Sequence, residues 1–186
     1  MRAEDPRTAR TRAKLGAALL EECAQRPLAE VSVAAVVRRA QVGRATFYLH
    51  YTDLEALAVD VCADVAREAV DALHAWRGTP DPEKPPPALV SFFERLAPLD
   101  GLYRELLSPG GGGPLGRVLH EDLRARSRAE RSLAGAPEPD LVASAVAATF
   151  AAVLADWLHG LIEASTAQIV ERVWRLLINL HRTPLP

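Results

Sequence analysis

Arg44, Thr46, Tyr48 and His50 crowd into one short stretch, interleaved with Gly43 and Ala45. Their shared chemistry is hydrogen bonding to a polyanion. An arginine forks onto the O6 and N7 of guanine, and a threonine hydroxyl reaches a base edge or a phosphate. A phenol and an imidazole suit phosphate oxygens. Upstream, Ser32 offers a hydroxyl and a backbone N–H at a helix start, where phosphate is well received. No comparable set assembles for catalysis. Paired carboxylates, a Ser-His-Asp order and a metal-ligand cluster are all missing, and His74, His120 and His159 are isolated in sequence. The expectation is a binding protein rather than an enzyme, with neither cofactor nor metal.

Such side chains need a frame. Ser32 caps a short helix, Val33–Arg39, and a tight turn over Ala40, Gln41, Val42 and Gly43 leads to a second, Arg44–His50. A longer helix precedes them over Thr8–Arg26, with Leu15, Ala18, Leu19 and Cys23 on one face, and Pro27 stops it. After them, Thr52 with Glu55 reads as a capping box. The helix it opens runs to about Trp76, with Leu57, Val61, Val65, Ala69, Leu73 and Trp76 as its dry stripe. Phe47 and Tyr51, with Val36, Val37, Ala40 and Val42, form a small core. The product is a three-helix, helix-turn-helix head over residues 1–52, whose second short helix fits a DNA major groove. Charge agrees: residues 1–52 carry nine Lys/Arg against five Asp/Glu, and residues 53–186 carry thirteen against nineteen. A basic head on an acidic body suits a head that faces phosphate.

The string VSVAAVVRRAQVGRATFYLHYTDLEAL, residues 31–57, resembles the helix-turn-helix signature of the tetracycline-repressor (TetR) family. Thr46-Phe47-Tyr48, His50-Tyr51 and Glu55-Ala56-Leu57 stand where that signature puts them. The resemblance covers roughly residues 8–60. It implies an all-α chain of about nine helices, with the DNA head on a helical ligand-binding and dimerisation body over residues 53–186. It also implies a homodimeric, ligand-responsive repressor on a palindromic operator, released by a small effector whose identity the sequence does not disclose. Two positions depart from the pattern. Gln41 replaces the usual turn glycine, which costs about 1 kcal/mol if that residue is left-handed. Leu54 replaces a common lysine that reaches phosphate, while Arg7, Arg10, Arg12, Lys14, Arg38, Arg39 and Arg44 remain among the cations of the head.

The rest of the chain is helical in pattern. A proline-rich loop spans Gly78–Pro87, and short helices over Ala88–Ala97 and Leu99–Leu107 part at Pro98. A glycine run, Ser108–Pro114, precedes an arginine-rich helix, Leu115–Leu133. The last two helices span Asp140–Ala164 and Ala167–Arg182, the second capped by Ser165 with Gln168. The apolar arc of the final helix is wide enough for two partners. Val170, Val173, Trp174 and Leu177, with Ala148, Ala152 and Ala155 on the helix before, are expected to form half of a four-helix dimer seam. Phe92, Phe93, Tyr103, Arg104, His120, Asp156 and Trp157 are the candidate effector-binding residues. Asp156 in an apolar helix needs a partner, for which Arg104, Arg117, His120 or the dimer seam are open. The order of these body segments is similar to the C-terminal domain class of a regulator of dihydroxyacetone kinase genes. Some relatives there bind a protein partner in place of a small molecule, and that alternative stays open for the glycine loop and the Arg117–Arg131 helix.

Of the 186 residues, 49% are hydrophobic, which supports a sizeable core and argues against disorder. Leu141–Ile162 reads as a buried soluble helix and not a membrane span, because Ser144, Thr149, Asp156 and His159 interrupt it. The N-terminus is charged at Arg2, Glu4, Asp5 and Arg7 with no apolar run behind it, so a cytoplasmic location is expected. Cys23 and Cys62 have no partners at disulfide or zinc spacing and read as small hydrophobes.

Overall fold

The structure, a computed structural model, describes residues 5–75 and 81–182. The described residues form nine α-helices, three short 3-10 turns and no strand. The fold is all-α. The helices are α1 (Pro6–Cys23), α2 (Val33–Ala40), α3 (Arg44–His50), α4 (Leu54–Ala75), α5 (Pro87–Leu96), α6 (Asp100–Leu106), α7 (Gly113–Leu133), α8 (Pro139–Leu158) and α9 (Thr166–Arg182). Contacts divide the chain into two compact units, one ending at Cys62 and the other starting at Ala63, so the boundary falls inside α4. Trp76, Arg2, Glu4 and the first part of the proline-rich loop lie outside the described residues, as does the side chain of His74.

The first unit is built by local signals. Asp5 caps α1, its Oδ1 accepting from the Arg7 N–H at 2.9 Å, and Pro6 occupies the first turn, where a missing N–H costs nothing. Ser32 caps α2 by accepting from the Ala35 N–H at 3.2 Å. Asp53, not Thr52, caps α4: its Oδ1 accepts from the Ala56 N–H at 2.8 Å, while the Thr52 hydroxyl donates to the other oxygen of the same carboxylate. The stronger, charged acceptor takes the cap, and the helix starts one residue later than the capping-box pattern suggests.

The dry stripe of α4 is also rotated from expectation. Leu57, Ala58, Cys62, Ala63 and Ala66 are buried, whereas Val61, Val65, Ala69 and Leu73 are half-buried. Small residues let α4 approach its neighbours closely. The clearest case lies within the first unit, where a Cβ added at Gly16 of α1 would come within 2.8 Å of the Val61 side chain. Leu15, Leu19, Val36, Phe47 and Leu57 are fully buried and make the core of this unit. Burial of the Phe47 ring alone contributes about 2–3 kcal/mol.

One charged pair is drawn into that core. Glu22 is buried and accepts from Arg39 Nε at 2.6 Å, with Arg26 lying 3.2 Å from its other oxygen. Its carboxyl is held below the ordinary 4.5, first by the Arg39 hydrogen bond, against the opposing cost of burial, with the charges of Arg39, Arg26 and Arg38 adding. A carboxyl whose folded value is depressed stabilises the fold above its unfolded value and loses that contribution as pH falls through the folded one. Thermal melts of the protein should therefore fall as pH drops below about 4.5. The Glu22→Gln variant should melt lower at pH 7 and show a flatter acid limb. An unchanged acid limb would remove Glu22 from that role.

The second unit contains the later helices. Helix α7 packs along α8, α9 packs on α5 and α8, and Phe92, Phe93 and Phe150 meet edge-to-face or tilted at centroid separations of 5.4–6.4 Å. Helix α8 is long and apolar enough to pass for a membrane span by composition, but Val142, Ala143, Val146, Ala147 and Phe150 are buried against protein. It ends at Leu158, six residues short of the expected Ala164, because Gly160 turns left-handed (φ 75°) and the Trp157 indole N–H donates to the Ala164 carbonyl at 2.9 Å, folding the tail back. The capping box of α9 forms as expected: Ser165 Oγ accepts from the Gln168 N–H, and Gln168 Oε1 accepts from the Ser165 N–H. Cys62 is buried, Cys23 half-buried, and no disulfide joins them.

Candidate nucleic-acid interface

Two short helices, α2 and α3, carry the candidate residues, and the turn between them is left-handed. Gln41 adopts φ 55° and ψ 42°, the helix-ending conformation that glycine takes without strain. The Val42 N–H donates to the Val37 carbonyl at 3.0 Å across this turn. Gly43, extended at φ −67° and ψ 145°, then opens α3 with no side-chain cap. Gln41→Gly should relieve about 1 kcal/mol of left-handed strain and raise the melting temperature of the protein. A lower melting temperature would mean that the glutamine side chain itself holds the turn.

Helix α3 is held from behind by a polar triad. Tyr51, just past its end, is buried and donates its phenol proton to Asp60 at 2.6 Å; Arg12 of α1 donates to the Tyr51 hydroxyl at 3.1 Å and to Asp60 at 2.6 Å. Burial first, and the Asp60 hydrogen bond second, push the Tyr51 phenol up to about 12. The triad ties α1, α3 and α4 within the first unit and fixes the angle at which α3 projects. Two of the cations counted for the head are thus engaged by carboxylates of the chain itself: Arg12 in this triad, and Arg39 on Glu21 and Glu22. Arg7, Arg10, Lys14, Arg38 and Arg44 are exposed.

On α3 the exposed residues are Arg44, Ala45, Tyr48 and Leu49, while Thr46 and His50 are half-buried and Phe47 is fully buried. A wheel of about 100° per residue explains the split. With Arg44 at zero, Tyr48, Ala45 and Leu49 fall at about 40°, 100° and 140°, and Thr46, His50 and Phe47 at about 200°, 240° and 300°. The Arg44 guanidinium carbon lies 5.8 Å from the centre of the Tyr48 ring, which orders a long side chain at a modest gain. Ser32 is exposed, with its hydroxyl already engaged in the helix cap. Leu49 is absent from the residue set read off the sequence. The same wheel places it on the exposed arc, one turn beyond Ala45.

The body candidates scatter. Phe92, Phe93 and Tyr103 are core residues, and Trp157 is half-buried, 5.5 Å from the Phe93 ring. Arg104 is exposed and pairs with Asp100, one turn earlier on α6. Asp156 meets none of the side chains considered for it; its Oδ1 accepts from the backbone N–H of Gly110 at 2.7 Å. His120 lines a shallow hollow with Arg117, Gly110, Gly111 and Ala148. A larger groove of about 360 Å³ opens elsewhere, between α4 and α7, lined by Ala63, Ala66, Val70, Leu119 and Leu123. Ion pairs Arg67–Asp122 (2.6 Å) and Arg126–Asp71 link the two helices beside it. Of the expected seam residues, Ala155, Val170, Val173, Trp174 and Leu177 are buried within the single chain. Ala152 is half-buried, and Ala148 is exposed together with Leu176 of α9.

Residues 16–61 match the family model described as "Bacterial regulatory proteins, tetR family". No curated protein matches the chain. Among solved structures, the fatty acid degradation regulator FadR from Bacillus halodurans superposes with a TM-score of 0.58 at 17% identity, covering 98% of this chain and 100% of that one. That likeness is one of fold.

Proposed function

We propose that this chain, a tetR-family DNA-binding transcriptional regulator, is a repressor that grips a palindromic operator as a homodimer and is released by a small effector. The observation that carries the reading is the exposed arc of α3, with Arg44 stacked over Tyr48 and the Tyr51–Asp60–Arg12 triad holding the helix from behind. Ser32, Gly43, Ala45, Thr46 and His50 complete the contact set. Arg44 reads a guanine; the others contact phosphates and adjoining base edges. A palindrome demands two heads. Ala148 and Leu176 stay exposed on α8 and α9, which supports a seam there. The two domains of this reading are a DNA head over residues 1–52 and an effector and dimerisation body over residues 53–186, in the cytoplasm where the operator is.

For the trigger, the α4–α7 groove is the best supported place. It is apolar at its walls and flanked by charge, and a helix that also enters the DNA-binding unit forms one side. A ligand there that favours one setting of α4 would change operator affinity by its differential affinity for the two settings. The structurally similar FadR, by its title a regulator of fatty acid degradation, makes an apolar effector the first class to screen.

The test is selection of duplexes from a random library with the full chain. An enriched, two-fold symmetric sequence is expected, with affinity falling steeply as salt rises from 50 to 200 mM, by about 10³-fold or more if six phosphates are engaged. Failure to enrich any sequence, alongside a correctly folded protein, would sink the reading. If an enriched operator is released by a protein partner and by no small molecule, the effector half alone fails.

A further inference from the structure

Among the described residues of the first unit, only two large hydrophobic side chains are exposed, and they are neighbours on α3: Tyr48 at 49% and Leu49 at 82%. Tyr48 is accounted for by its stack with Arg44. Leu49 is not. It follows Ala45 by one helical turn, so the two form an apolar stripe beside the Arg44–Tyr48 stripe. No described residue of the first unit covers that stripe, and it lies on the same arc as Arg44.

We infer that Leu49, with Ala45 beneath it, is a specificity-determining contact that packs on the C5-methyl groups of thymines in the operator, next to the guanine read by Arg44. The inference deepens the proposed operator binding and rests on it. The chemistry is particular. In the major groove the thymine methyl is the apolar feature that separates A·T and T·A pairs from the other two, and small apolar side chains are its natural complement. A leucine has neither donor nor acceptor, so it gains nothing at a phosphate or at a guanine edge. It would leave the amino group of a cytosine or adenine unsatisfied where it covered one. Burying a methyl against it gives about a fourfold preference per contact. Leu49 therefore biases the half-site toward thymine at one or two positions beside the guanine, and disfavours cytosine there.

The experiment uses the full chain and its selected operator. Each thymine of the half-site is replaced in turn by uracil, which keeps pairing and removes only the methyl. Dissociation constants are measured for the wild type and for Leu49→Ala, whose fold is checked by its melting curve. One or two replacements are expected to weaken the wild type about fourfold and to leave Leu49→Ala nearly unaffected. Uracil replacements that are all neutral in the wild type would overturn the inference, as would losses of equal size in Leu49→Ala. Both results leave operator binding intact. If the chain selects no operator at all, the regulator reading falls first and this inference with it.

Discussion

Arg44→Ala should weaken operator binding by about 2–6 kcal/mol, or roughly 30-fold to 10⁴-fold, if two heads each lose one bidentate guanine contact. The residue is exposed and touches the protein mainly through the Tyr48 ring, so its removal leaves the core untouched. The melting temperature should hardly move. Fluorescence anisotropy on the operator and on an unrelated duplex of equal length separates the two roles open to an arginine. A base contact is lost on the operator alone. A phosphate contact is lost on both duplexes and lowers the salt slope by about one per head. Arg44→Lys sharpens the result, because an ammonium keeps the charge without the planar fork. It should bind the unrelated duplex as the wild type does while most of the discrimination stays lost. Equal loss on both duplexes would move Arg44 from reading to anchoring, and the Leu49 stripe would then become the principal reader.

The second large effect lies in the other unit and concerns stability. Gly116→Ala should cost about 3 kcal/mol, at the upper end of overpacking, and lower the melting temperature by on the order of 10 °C. A Cβ at Gly116 would lie 2.1 Å from the carbonyl oxygen of Gly111, and one at Gly111 would lie 2.7 Å from the backbone of Ala151 and Ala152. Three backbones are thus layered: the first turn of α7, the glycine loop, and the middle of α8. Every atom met within 3 Å is backbone, not the end of a flexible side chain, so relief requires the loop to lift away from α8. Asp156 opposes that by holding the Gly110 N–H. Gly101→Ala is the control. It lies in α6 with nothing within 4 Å of a new Cβ, so the same change there should stabilise by about 0.5–1 kcal/mol. Calorimetry or chemical denaturation of the two variants reads opposite signs. Equal and small effects would show that the loop is not clamped.

The glycine run illustrates why the body was harder to read than the head. In the sequence, four glycines between prolines look like a flexible connection. In the structure two of them have no room for a side chain: a Cβ on Gly111 would meet the α8 backbone at 2.7 Å, and one on Gly113 would meet the Leu106 carbonyl oxygen at 2.6 Å. That reason is invisible without the partner helix.

The residues of this chain determined by themselves whatever closes within a turn or two of backbone. Ser32 capping α2, the Ser165–Gln168 box on α9 and the Val36–Val37–Ala40–Phe47 core of the head all follow from side chains a few positions apart. The all-α fold and the basic helix-turn-helix head follow from them. Tertiary structure decided the choices between near-equal local options. It turned α4 onto Ala58, Cys62 and Ala66 instead of its valines, and handed Asp156 a backbone N–H in place of a basic side chain. It also left Leu49 outside the core. For the α4 stripe and for Leu49 the physical reason is the same: neighbouring stripes of a helix differ little in hydrophobicity, and only the shape of the surface opposite separates them.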